Sequence, residues 1–302
     1  MAILLFRDAI LARDAILVSQ QRQIAKLYEN WAKEIEERAK YYDRKTNATA
    51  PISAQQMREL SGMLRRQSKE VSNEIFKGIK ENIYRASDAV VKSNAKWMAQ
   101  FGFSEAGINA AFNHVPDHVV RRLVTGQIYE SGWSLSARIW GSNQRTLQDI
   151  YRINAGGQAM NKSIYEIAKD LEQYVKPGAK KPWNLVDKDG RKIYPRQVDY
   201  NAQRLARTLV QHGYQQSVIE TSKPNPFITG IIWRANGSRA CELCLSRDGT
   251  FYKLEDVPMD HPNGMCVMEP AVDPDMESKL ASWISSPDGT YPEIDRFAEN
   301  FT

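Results

Sequence analysis

Apolar residues recur at steps of three and four along most of this chain, and the intervals between them are polar and charged. Ile24, Tyr28, Trp31, Ile35 and Tyr42 lie on a background that includes Lys26, Glu29, Lys33, Glu34, Glu37 and Lys40. That spacing predicts a long amphipathic helix. The pattern breaks between Asn47 and Pro51, and Ser53 with Gln56 three residues on forms a capping-box signature for a second helix. Met57, Leu60, Leu64, Val71, Ile75, Ile79 and Ile83 carry this helix from about Ala54 to about Trp97. Two long helices joined by a short polar turn predict an antiparallel helical hairpin.

Upstream, the element Arg-Asp-Ala-Ile-Leu occurs at 7–11 and again at 13–17. Six residues is not a helical period, so the copies do not share one stripe, and a helix here is apolar over much of its circumference. It is read as a docking segment, against the body of the protein or against another subunit, or as a plainly packed N-terminal helix.

Beyond Phe101-Gly102-Phe103 the helices are shorter. One begins at Ser104, and one opens at Val115-Pro116-Asp117, where proline and aspartate suit a first turn. Others cover Leu135 to Trp140, about Gln144 to Asn154 with a stop at Gly156-Gly157, Ser163 to Val175, and Arg196 to Glu220. Between Lys176 and Arg196, Asp189-Gly190 flanked by Val186 and Ile193 predicts an inserted hairpin. It is basic, and Lys180, Lys181, Trp183, Arg191 and Lys192, with Arg196, Arg204 and Arg207 on the following helix, are candidate contacts to nucleic acid or to an acidic partner. A solvated loop, and salt bridges to neighbouring helices, explain the same residues.

The helical period ends at Phe227–Trp233, which reads as a buried strand entering a region that holds every cysteine of the chain. Cys241 and Cys244 form a C-x2-C pair, and His261 and Cys266 an H-x4-C pair. Two thiolates from one tight turn, with a distant imidazole and a third thiolate, complete a tetrahedral site for which Zn²⁺ is the default ion. Leu243, Leu245, Phe251 and Tyr252 around Asp248-Gly249 suggest a β-hairpin between the ligand pairs. The alternative is a metal-free turn with reduced cysteines as small core residues.

The organisation that follows is mainly α. It comprises a helical hairpin arm over 1–102, a helical middle domain over 103–222 with the basic insertion at about 176–196, and a small Cys/His α+β unit over 223–272. An acidic, aromatic tail over 273–302 is expected to be pinned to the body by Trp283, Tyr291 and Phe297. A net charge of +5 on 302 residues permits contact with DNA without demanding it. No apolar run approaches the length of about 20 residues that a membrane-spanning helix needs, and the N-terminus has the charge order opposite to that of a signal peptide. No membrane anchor is expected, and the protein is expected to stay in the compartment where it is made.

Trp233, Cys241-Glu-Leu-Cys244, Asp248-Gly249, His261-Pro262, Cys266 and Pro270 together resemble the C-terminal signature of the phage head morphogenesis proteins, the Mu F-like minor capsid proteins. Leu135-Ser-Ala-Arg-Ile-Trp140, Ser163-Ile-Tyr-Glu-Ile-Ala168 and Arg204-Leu-Ala-Arg207-Thr208 follow the order of the same family, so the resemblance covers Val115 to Pro270. One departure is Gly264, which stands where the family usually carries a cysteine; this favours the set Cys241, Cys244, His261 and Cys266.

The resemblance implies a structural protein of a phage or prophage head, made in the bacterial cytoplasm and carried inside the head. Its partners would be the portal or major capsid protein and packaged DNA, with the N-terminal helices available for protein contacts. The residues also admit a metal-dependent nuclease of the HNH type, because Asp260-His261-Pro262 follows a C-x2-C pair. Past Cys266, however, there is no histidine and no second C-x2-C pair. A zinc-finger regulator is disfavoured, since no basic recognition helix follows the first ligand pair.

Overall fold

The computed structural model describes residues 6–45, 50–177, 185–186, 192–193, 199–237, 240–285 and 289–299. The chain is mainly helical with one small antiparallel sheet near its C-terminus, as the hydrophobic period predicts. In order, α1 is Arg7–Lys45, α2 Ala54–Ala99, α3 Glu105–Phe112, α4 Val115–Thr125, α5 Leu135–Ala159 and α6 Ile164–Val175. A two-residue ladder follows, β1 (Leu185–Val186) with β2 (Lys192–Ile193), then α7 (Tyr200–Ser222). The cysteine region holds β3 (Ile228–Arg234), α8 (Glu242–Arg247), β4 (Phe251–Tyr252) and β5 (Val267–Val272), and α9 (Met276–Ser285) and α10 (Pro292–Glu299) complete the chain.

Backbone contacts divide these elements into two compact units. One is built from residues 1–18, 79–132 and 207–302, the other from 19–78 and 133–206.

In the second unit, α1 and α2 run antiparallel. Trp31 Nε1 donates to Gln67 Oε1 at 2.9 Å, and further along Arg38 faces Glu59 at 4.0 Å, so rising numbers on α1 meet falling numbers on α2. The capping box at the start of α2 forms in both directions: Gln56 N donates to Ser53 Oγ, and Ser53 N donates to Gln56 Oε1. A second capping box, Ser163 with Glu166, starts α6. Gly157 lets α5 and α6 approach closely, because a Cβ there would lie 2.5 Å from Ile167 Cγ1.

In the first unit, Ile16 of α1, Ala86 of α2 and Val210 of α7 form a buried cluster. The N-terminal segment is thus the first part of one long helix, packed on its own chain. Its buried stripe is Phe6, Ala9, Arg13, Ile16 and Gln20, while Leu11 and Val18 face solvent. The sheet has the order β4-β3-β5, all antiparallel, with Ile231 opposite Tyr252 on one side and Pro270 on the other. Pro270 is tolerated because β5 is an edge strand. Of the three expected anchors, Trp283 and Phe297 hold the tail: Phe103 stacks on Trp283 and meets Phe227 and Phe297, and Trp283 Nε1 donates to Asp295 at 2.7 Å.

Three elements differ from expectation. α5 is continuous through Gly141 and past Gly156-Gly157, where two separate helices and an earlier stop were predicted. The Ser134 cap at its start, and burial of Ile139, Ile150 and Ile153, outweigh the modest cost of glycine in a helix interior. The segment after Cys241 is the helix α8 and not the first strand of a hairpin. Cys241 has the extended backbone of an N-cap, and Leu245 N bonds back to Cys241 O. Leu243 and Leu245, which suggested a strand, are exposed. The pairing partner of β4 is β3, and β5 was not anticipated.

Candidate metal centre

All four predicted ligands belong to the first unit and come together. Cys241 sits at the N-terminus of α8 and Cys244 in its first turn, His261 in the turn after Met259-Asp260, and Cys266 immediately before β5. Cys241 Sγ lies 3.6 Å from Cys244 Sγ and 3.3 Å from His261 Nε2, and His261 Nε2 lies 3.1 Å from Cys244 Sγ. Tetrahedral zinc with metal–sulfur bonds of about 2.3 Å requires sulfurs roughly 3.8 Å apart. The ligand atoms of Cys241, Cys244 and His261 are all within 4.8 Å of one another, and so are those of Cys244, Asp260 and Cys266. Cys244 is therefore the shared member, and the cluster can hold a metal ion.

The surroundings treat the three thiols differently, favouring the thiolate at Cys241 and opposing it at Cys244 and Cys266. Backbone N–H groups of Cys244 and Leu243 point at the Cys241 sulfur, and with the nearby His261 they hold its thiol below the usual range. Burial pushes the Cys244 thiol up, helped by the crowding of Cys266 and Cys241, and burial does the same to Cys266. Neutral buried thiols facing one another without a cation are poorly solvated, and a divalent ion reverses that penalty. Trp233, fully buried on β3, has an indole N–H that makes no hydrogen bond of ordinary geometry. Cys244, and less strongly the Trp233 and Asn236 N–H groups, work against the rise at Cys266 without overcoming burial.

His261 is oriented for the same task. A proton on Nδ1 serves the Pro262 carbonyl at 3.1 Å and leaves the Nε2 lone pair toward the two sulfurs.

A residue that spacing did not single out as a ligand organises the loop. Asp260 is 3% exposed. Its Oδ1 accepts from His261 N at 2.8 Å, and its Oδ2 accepts from Cys266 N and from Gln211 Nε2, each at 3.1 Å. Its own N–H donates to Gln215 Oε1, and its carbonyl accepts from His212 Nε2 at 2.9 Å. One face of α7 thus carries Gln211, His212 and Gln215 as a polar clamp on the turn that presents His261. On the far side of the imidazole, His212 Nδ1 pairs with Tyr129 Oη at 2.9 Å.

The clamp extends to α1. Arg13, 1% exposed, donates to Gln211 Oε1 at 3.0 Å and to the Cys266 carbonyl at 3.3 Å, and stacks over Tyr214 at 4.8 Å. Gly264 is required by the same turn. A Cβ at 264 would lie 2.1 Å from Asp260 Oδ1, so the Asp260 carboxylate fills the space that a cysteine side chain would need.

Of the other candidate contacts, Arg207 donates to Asn263 Oδ1 at 2.9 Å beside the metal loop, and Arg204 is half-buried on α7. Lys192 contributes its backbone to β2. Lys180, Lys181, Trp183, Arg191 and Arg196 lie outside the described residues. No helix among the described residues is long and apolar enough to cross a membrane.

Comparison with protein-family models, with curated proteins and with solved structures finds no match to the chain.

Proposed function

We propose that the chain is a non-enzymatic structural protein of a tailed-phage or prophage head, in which the Cys241, Cys244, His261 and Cys266 set carries one structural Zn²⁺. The observation that carries this reading is the use of His261: its Nε2 is committed to the sulfur cluster and its Nδ1 to a backbone carbonyl. An HNH-type nuclease needs an imidazole free to take a proton from water beside a metal-bound phosphate. With both nitrogens engaged, His261 serves as a clip. The head-assembly role follows from the resemblance of Val115 to Pro270 to the Mu F-like minor capsid proteins, with the portal or major capsid protein as partner and packaged DNA as a further contact.

The test is biochemical. Mass spectrometry of purified phage particles, separated into heads and tails, should find the chain in the head fraction. Its absence from particles while present in the lysate would contradict the assignment. Metal-dependent cleavage of plasmid DNA that is abolished by His261→Ala would favour the nuclease instead.

A further inference from the structure

The unit without the cysteines carries an open groove between α2 and α5. The two helices run antiparallel there, since Ser61 pairs with Asn154 and Ser68 with Asn143. The groove encloses a volume of about 850 Å³. Trp140, Leu147 and Tyr151 line one wall from a single face of α5, spaced seven and four residues apart. Trp140 and Tyr151 are 62% and 71% exposed, large values for aromatic side chains on an ordered helix. Eleven residues of helix separate them, a span of about 16 Å or three turns.

The rims are basic. Arg65 and Lys69 project from α2, one turn apart, and neither has an anionic partner among the described residues. Arg152 stands at the other side, 3.6 Å from the buried Asp149 carboxylate. Among the described residues, no aspartate or glutamate lines the groove.

We propose that this groove binds an acidic amphipathic α-helix of a partner protein, with Trp140, Leu147 and Tyr151 receiving its apolar stripe and Arg65, Lys69 and Arg152 pairing with its carboxylates. The geometry selects a helix over a polynucleotide. Buried Leu64 and Ile150 give the floor an apolar part beside Asn143 and Asn154, and three turns of α5 match three turns of a partner helix laid alongside. Tryptophan, tyrosine and arginine are the residues on which binding energy concentrates. The charge pattern excludes a basic helix and leaves cations where a partner's flanking acids fall. The inference does not depend on the metal centre or on the head-assembly reading.

The experiment uses the full chain and a fluorescein-labelled synthetic helix of about 18 residues, with leucine and phenylalanine on one stripe and glutamate elsewhere. Its lysine counterpart and an oligothymidylate serve as competing probes. Fluorescence anisotropy should show saturable binding of the acidic peptide. Affinity should fall at least about tenfold in Trp140→Ala/Tyr151→Ala and in Arg65→Glu/Lys69→Glu. All four positions are exposed, so both variants should keep the wild-type circular dichroism and melting curve. Absence of binding, equal binding of the acidic and lysine peptides, or retention of affinity in both variants would overturn the proposal. Displacement of the peptide by oligothymidylate at lower concentration, with the same two variants losing oligothymidylate binding, would make the groove a nucleic-acid site and overturn it as well.

Discussion

Gly264 and Arg13 show how single residues position the cluster. At Gly264 the missing side chain is filled by the Asp260 carboxylate, so Gly264→Ala must displace a group that accepts three hydrogen bonds. Chemical denaturation should show a loss of about 2 kcal/mol. Arg13→Met removes the donor that serves Gln211 and the Cys266 carbonyl in a buried setting, while Asp14, half exposed, is left to water. The expected cost is about 2 kcal/mol by the same measurement, arising from the stranded Gln211 Oε1, since the Cys266 carbonyl keeps its bond from Gln211 Nε2. The clustering of Cys241, Cys244, His261 and Cys266 was legible in the sequence because metal ligation fixes residue type and spacing together. Asp260 and Gln211 were not, because they act through hydrogen bonds between segments about 50 residues apart, for which a chain has no periodic signature. The role of Arg13 was hidden for a related reason. It occupies a core position of α1 that hydropathy assigns to solvent, while Leu11 and Val18 occupy solvent positions that hydropathy assigns to the core.

Among the elements, the long helices were the most legible, since α1 and α2 repeat one period over many turns. The capping box of α2 follows from local chemistry alone. Short apolar runs were less so: Leu243 and Leu245 fit a strand or a helix equally, and the N-cap geometry of Cys241 decides for α8. A helix-scale prediction concerns the end of α6. Burial works to raise the Glu172 pKa, but Lys176 at 2.6 Å and Lys169 at 3.1 Å outweigh it, and the carboxyl is held below its usual value. A depressed carboxylate contributes stability above its unfolded pKa of about 4.3 and loses it as pH falls through the folded value. Melting curves of Glu172→Gln should therefore lie below wild type at pH 7, by about 1 kcal/mol, and converge with it near pH 3. A constant offset across that range would show that packing, and not charge, is what Glu172 supplies.

For the whole molecule, the clamp links α1, α7 and the loop that carries His261 and Cys266 into one hydrogen-bonded assembly within the cysteine unit. A metal ion held there would fasten the His261 turn to α8, and through Asp260, Gln211 and Arg13 would tighten the packing of α1 on α7. Assembly of that unit from three separated stretches of chain is set by tertiary contacts, which the hydrophobic period does not encode. The most direct measurement is metal content per chain by elemental analysis, paired with thermal melts of wild type, of chelator-treated protein and of Cys244→Ser. The account predicts one zinc per chain in wild type, lost in Cys244→Ser, and a melting temperature lower by at least about 10 °C in both metal-free samples. Wild-type protein purified without metal, or metal whose removal leaves the melt unchanged, would contradict it.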